Sequence, residues 1–150
     1  EYYRQCRAHG RTLIDAYASP LPSVTVVRPQ DPRLEERLGY PTIGVPWQSI
    51  TKDMGVECLM REIESVLVHS SSHKYVDLDV AGEVASGKRS RFSFATMVTM
   101  AGTLMAEEAI RVILGREGGT DFRGYFFNPH AARVERPLAA PLAFAKRALV

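Results

Sequence analysis

Hydrophobic and polar positions divide the chain into short alternating runs and two long helical stripes. The opening EYYRQCRAHG reads as helix with a stop at Gly10, since glycine tolerates the left-handed conformation found just past helix ends. Residues 12–17 (TLIDAY) and 23–27 (SVTVV) have strand composition and flank SPLP, which predicts two strands joined by a proline-bearing turn. Residues 28–46 carry Pro29, Pro32, Pro41 and Pro46 and read as loop, with a helical turn or two at 33–39. From 49 to 68 the residues Val56, Leu59, Met60, Ile63, Val66 and Leu67 recur at helical spacing on one face, with Gly55 weakening the first turn. HSSSH (69–73) ends that helix as a polar terminus. In KYVDLDVAG, Val76, Leu78 and Val80 then alternate with Asp77 and Asp79, which predicts a half-buried strand over 75–80.

The strongest helical pattern runs over 93–114, with Phe94, Met97, Val98, Ala101, Leu104, Met105, Ala109, Val112 and Ile113 as its stripe. Ser93 is its expected N-cap and Gly115 its expected stop. Glu108 falls on or beside that stripe, where a carboxylate needs a partner. Small residues at Ala95, Ala101, Gly102, Ala106 and Ala109 predict close approach of another element, either the sheet or a second subunit. Residues 124–127 and 132–136, joined by Asn128-Pro129-His130, predict a hairpin, and the Ala- and Pro-rich tail reads as helical near its end.

With 150 residues the chain suffices for one domain or domain fragment with a core, and 45% hydrophobic against 24% charged residues excludes disorder. A net charge of 19 − 17 = +2 is too mild to announce nucleic acid or a membrane surface as partner. No apolar run reaches the roughly 18–20 residues of a membrane span. Two cysteines suit a reducing cytoplasm rather than a disulfide scaffold. The chain opens without an initiator Met or a signal peptide, as if inside a helix, so it is expected to be a piece of something longer.

Four sets of residues are candidates for chemistry. Gly82-Glu-Val-Ala-Ser-Gly87-Lys88 matches the first part of a phosphate-binding loop, but Arg89 stands where a Mg²⁺-ligating Ser or Thr is required. The segment reads instead as a basic loop, with Lys88, Arg89 and Arg91 as a weak anion site before the long helix. His69 and His73 have helical ligand spacing but lack a third ligand, so no metal is expected there. Cys58 lies on the polar side of the 49–68 helix with Glu62, Ser65 and His69. Cys6 has the basic neighbours Arg4 and Arg7, a setting of the kind that activates thiols. Both cysteines read equally as small packing residues. No G-x-S-x-G motif, paired-Cys zinc motif or dinucleotide fingerprint occurs.

The segment MAGTLMAEEAIRVILG (100–115) resembles the late helix of the ThiF/MoeB/HesA family, the bacterial relatives of ubiquitin-activating enzymes. The matching residues are Gly102, Thr103, Ala106, Glu108, Ala109, Ile110, Arg111 and Gly115. GYFFNPHAARVERP is similar to that family's closing hairpin, with Phe127 and Asn128 where Tyr-Asp is common. RQCRAHGRTLIDAYASPLPSVTVVRP resembles an upstream helix and strand pair, with Arg4, Cys6 and Gly10 fitting loosely. These stretches cover about half of the chain.

The resemblance implies an α/β fold: the carboxy-terminal part of a ThiF-like, Rossmann-related architecture, with a mixed sheet and packing helices. Residues 46–91 would be an insertion. It implies an ATP-dependent adenylyltransferase that activates a carboxylate, often the C-terminal glycine of a ubiquitin-like or sulfur-carrier protein. ATP and Mg²⁺ would belong to the parent enzyme's amino-terminal half, which has no counterpart in these residues. The chain would then supply the distal sheet and the acceptor or dimer surface, a homodimer being implied. A non-catalytic dimerisation or peptide-binding module is the alternative, with 23–27 or 75–80 accepting an added strand at a sheet edge.

Overall fold

The computed structural model describes residues 1–90, 92–116 and 119–148. Helix α1 (Tyr2–Ala8) leads into strands β1 (Leu13–Tyr17) and β2 (Ser23–Val27), which pair antiparallel across a turn containing a cis Ser19–Pro20 bond. Both strands lie where the alternation placed them. The helix ends as expected, with His9 at the cap and Gly10 at φ +60°. The short α2 (Leu34–Leu38), α3 (Lys52–His69) and α4 (Leu78–Ala85) follow. Then come α5 (Ala95–Ile113), the hairpin β3 (Tyr125–Asn128) and β4 (Arg133–Glu135), and α6 (Ala140–Arg147).

The four strands form one sheet in the order β1-β2-β3-β4, antiparallel at every junction. The fold is thus α/β with packing helices, but the expected mixed sheet is corrected: among the described residues there is no parallel pair. Two junctions are hairpin-like, and the long excursion between β2 and β3 returns on the antiparallel side, so no crossover of the kind a parallel pair needs is made.

Residues directly opposed across β1 and β2 share a face. Leu13, Asp15 and Tyr17 therefore look the same way as Val27, Thr25 and Ser23, while Ile14 and Ala16 look the other way with Val26 and Val24. Helix α5 lies against β1 and β2, and Val24 and Val26 are completely buried. On the opposite face, Tyr3 of α1 donates to Asp15 at 2.6 Å and Tyr17 donates to Glu62 of α3 at 3.0 Å. The sheet is a middle layer between α5 and the amino-terminal helices.

One predicted strand is absent. Over 75–80 the chain instead begins α4, because Asp77 Oδ1 accepts the backbone N–H groups of Asp79 (3.0 Å) and Val80 (3.1 Å). A capping aspartate satisfies donors that a strand could satisfy only with a neighbouring ladder. The start of α5 also differs: Phe94, not Ser93, occupies the N-cap. Of the α5 stripe, Met97 and Ala101 are buried, whereas Phe94, Val98, Met105, Val112 and Ile113 are exposed. Of the small residues, Ala101 is buried and Ala109 half-buried, whereas Ala95, Gly102 and Ala106 are exposed.

Glu108 is buried with only 4% of its surface exposed, as its helical phase predicts. Its Oε2 accepts the Thr120 N–H at 3.2 Å. Gly119, at φ +83°, passes so close that a Cβ there would lie 2.5 Å from the same oxygen. The carboxylate thereby ties the end of α5 to the chain entering β3. Glu108→Leu leaves the Thr120 donor buried and unpaired, so urea denaturation should show a loss of about 1–3 kcal/mol. A change within about 0.5 kcal/mol, the range of surface substitutions, would contradict this anchoring role.

Candidate functional site

An amphipathic helix ordinarily turns its apolar stripe toward the core. Helix α3 does the reverse over most of its length. Val56, Leu59, Met60 and Ile63 are 51%, 38%, 51% and 41% exposed, while Cys58, Glu62, Ser65 and His69 are half-buried on the inward side. Glu62 fixes that orientation. Its Oε2 accepts the Tyr17 hydroxyl and its Oε1 accepts the Tyr40 hydroxyl, so both oxygens are occupied. Burial, reinforced by Glu62, holds both phenols well above their ordinary pKa, and they remain donors.

Between α2, α3 and the sheet lies a cavity of about 270 Å³. Its polar lining includes Tyr17, Arg37, Glu62, Ser65, His69 and Arg123, beside Ser23, Thr25 and Tyr125, and its apolar wall includes Leu38, Val66, Phe122, Phe126 and Leu138. Arg37 is the unusual member. One guanidinium nitrogen, Nη1, donates to the Phe122 carbonyl, Nε is buried without a partner, and among the described residues no carboxylate pairs with it. Burial lowers its pKa from the ordinary arginine value, opposed by Tyr3, Tyr17, Tyr40 and Asp121. His69 Nδ1 is also buried and unpartnered. Burial first, then the charges of Arg37, Arg147 and Lys146, lower the His69 pKa and keep the ring neutral at pH 7.

A second polar cluster closes the far end of α3. Ser70, Ser71 and Ser72 are buried, not frayed. Glu135 accepts the Ser71 N–H at 2.7 Å and the Ser71 hydroxyl at 2.6 Å. Asn128, fully buried, donates to the same carboxylate at 2.9 Å and to Ser71 Oγ at 2.8 Å. Lys146 of α6 donates to the Ser70 carbonyl at 2.5 Å. Burial works against the Glu135 anion, but hydrogen bonds from Asn128, Ser71 and Arg133 prevail and hold its pKa at about 2.

Of the residues singled out from sequence, Glu62, Ser65 and His69 line this cavity, and the others lie elsewhere. Gly82 sits within α4 and Gly87, at φ +73°, follows its end. The N–H groups of Gly87, Lys88 and Arg89 donate back to the carbonyls of Val84 and Glu83 at 3.1, 2.9 and 3.1 Å. They close a helix C-terminus, where carbonyls rather than N–H groups are in surplus, and do not ring a phosphate. Lys88 is exposed, Arg89 pairs with Glu83 at 2.6 Å, and Arg91 lies outside the described residues. His69 is the last residue of α3 and His73 lies in the 3₁₀ turn Ser72–Lys74, so they do not share a helix face. Among the described residues no three His, Cys, Asp or Glu side chains group to hold a metal, and no helix is long and apolar enough to cross a membrane.

The basic neighbours of Cys6 are engaged: Arg4 pairs with the buried Glu35 at 2.7 Å and Arg7 with Glu36 at 2.9 Å. Cys58 Sγ lies 4.0 Å from Thr42 Oγ1. Sequence reasoning placed Glu62, Ser65 and His69 on one side of a helix but missed which way that side faces. It missed Arg37, Tyr40 and the serine cluster entirely. Only the run of three serines at 70–72 offers a signal, and it reads equally as loop.

The Glu135 cluster sets an acid dependence. Its folded pKa of about 2 lies below the ordinary 4.5, so its stabilisation is complete above that ordinary value and is lost as pH falls toward about 2. Asn128→Asp places a second carboxyl against Glu135, and two such groups cannot both ionise cheaply. Denaturation should show a loss of about 1–3 kcal/mol at pH 7 and a smaller loss at pH 4. Equal losses at both values would show that the charge of Glu135 is immaterial there. No protein-family model matches the chain, and neither the curated proteins nor the solved structures give a match.

Proposed function

We propose that the chain is the distal part of a ThiF-like, Rossmann-related ATP-dependent adenylyltransferase. Its target would be the C-terminal carboxylate of a ubiquitin-like or sulfur-carrier protein. On this reading residues 1–150 supply an antiparallel sheet and the surface that meets the acceptor or a second subunit. The carrying observation is the pair of bare apolar ridges. One runs along α3 through Val56, Met60 and Ile63, the other along α5 through Phe94, Val98 and Met105. They lie on opposite sides of the sheet. Apolar surface arranged in ridges, rather than scattered singly, marks sites of association.

Two further observations support it. The order of helix, strand pair, long helix and closing hairpin is the order in which the resembling segments occur. Glu108, within the resembling motif, is the residue that ties α5 to the hairpin. The described residues do not fit ATP: the glycine-lysine segment is a helix end, and Arg89 is taken by Glu83. On this reading the nucleotide would be held by the parent enzyme outside residues 1–150. The same lack favours the alternative of a non-catalytic dimerisation or peptide-binding module. Strand addition, if it occurs, falls to β1 or β4, because β2 is an inner strand and 75–80 is not a strand.

The test is ATP–pyrophosphate exchange by the protein isolated from its natural source. Exchange that depends on a ubiquitin-like protein ending in glycine is the expected result, with residues 1–150 alone inactive. Met60→Asp in the native protein should weaken assembly or exchange, yet leave the stability of the 150-residue chain within about 0.5 kcal/mol. A native protein that gives no exchange with any such acceptor would overturn the enzyme reading in favour of the module.

A further inference from the structure

We propose that the cavity between α3 and the sheet binds a small monocarboxylic acid with a flat apolar body, its carboxylate meeting the Arg37 guanidinium. This site is separate from the adenylyltransferase reading and does not rest on it. The reason for an anion is the state of Arg37. Arg37 is half-buried, with its Nε fully buried and unpartnered, and such a cation normally has a carboxylate beside it because withdrawing an unpaired charge from water is costly. The nearby acids are otherwise engaged. Glu62 has a phenol on each oxygen. Asp121 holds the Arg123 guanidinium at 3.0 Å and the N–H groups of Arg123 and Gly124. The open position is the cavity itself, which Arg37 lines.

The reason for an apolar body is the remaining wall. Leu38, Val66, Phe122, Phe126 and Leu138 face the space, two of them aromatic. At about 270 Å³ the cavity is smaller than the roughly 300–1,000 Å³ of drug-sized sites, which suits a single-ring acid and excludes a nucleotide. His69, kept neutral by burial and by the cations around it, does not compete for the anion as a second full charge. Glu62 in the same wall disfavours a dianion more than a monoanion, so inorganic phosphate is a poor ligand. Planar guanidinium also matches the planar carboxylate, which a lysine would not.

The probe is benzoate, with benzamide as the neutral analogue and inorganic phosphate as the compact anion, titrated into the 150-residue chain by NMR. Saturable shifts of the Leu38, Val66 and Leu138 methyls with benzoate are expected. Benzamide should bind about tenfold or more weaker, as should benzoate to Arg37→Gln, because a charge-assisted contact is lost in each case. Leu138→Trp fills the cavity while leaving Arg37 in place, and it should abolish the shifts without loss of spectral dispersion. This variant decides the matter if Arg37→Gln does not fold. Equal binding of benzamide and benzoate, phosphate matching benzoate, or no saturable shift in the folded chain would each overturn the proposal.

Discussion

Glu62 accepts hydrogen bonds from two phenols that come from different parts of the chain, Tyr17 on β1 and Tyr40 in the loop after α2. That carboxylate sets which way α3 faces, and both the bare stripe of α3 and the cavity behind it follow from that orientation. Hydrogen bonds to a charged group contribute about 1.5–3 kcal/mol each. Fully burying an apolar side chain contributes about 1.5–3 kcal/mol. Four ridge residues left about half exposed therefore forgo an amount of the same order as the two phenol bonds supply. The balance is tipped by the far end of the helix, where Ser70 to Ser72 are held by Glu135, Asn128 and Lys146. Helix α3 is fastened by polar contacts near its middle and at its carboxy-terminal end, and its apolar stripe is left for something else.

The cavity is a consequence of the same arrangement. A helix seated on carboxylate–phenol bonds stands off from the sheet, and the gap is lined by whatever α2 and the β3 approach bring to it. Arg37 arrives from α2 and is anchored by the Phe122 carbonyl, but among the described residues neither element supplies a counter-ion. The outward ridge of α3 and the inward cavity are thus two sides of one choice. The first suits a macromolecular neighbour and the second a small acid, and either can be present without the other.

The elements legible in the sequence are those whose signals are local. The alternation of SVTVV, the glycine stops at Gly10 and Gly115, the long α5 period and the Asn-Pro hairpin each state their structure within a few residues. Glu108 was legible because a carboxylate on an apolar stripe has few solutions. The direction of α3 was not, because an apolar stripe means "inward" only when no stronger polar partner waits on the other side. Tyr17 and Tyr40, distant in sequence, are that partner. The segment at 75–80 misled for a related reason: alternation of Val, Leu and Asp over six residues fits a strand, and the capping power of Asp77 was overlooked. Arg37 carries no signal at all, since an arginine in LEERL looks like any exposed helical cation.

The claim on which these conclusions turn is that α3 presents its polar side to the sheet. Thiol accessibility measures this directly in the chain with Cys6 replaced by serine. Cys58 lies on the inward side, and a cysteine introduced by Met60→Cys, in a Cys58→Ser background, lies on the outward ridge. The orientation described predicts fast modification at position 60 and slow modification of Cys58 under native conditions, with the two equal in denaturant. Fast reaction of Cys58 together with protection at position 60 would show that the helix packs by its apolar stripe, and that neither the bare ridge nor the cavity behind Glu62 exists.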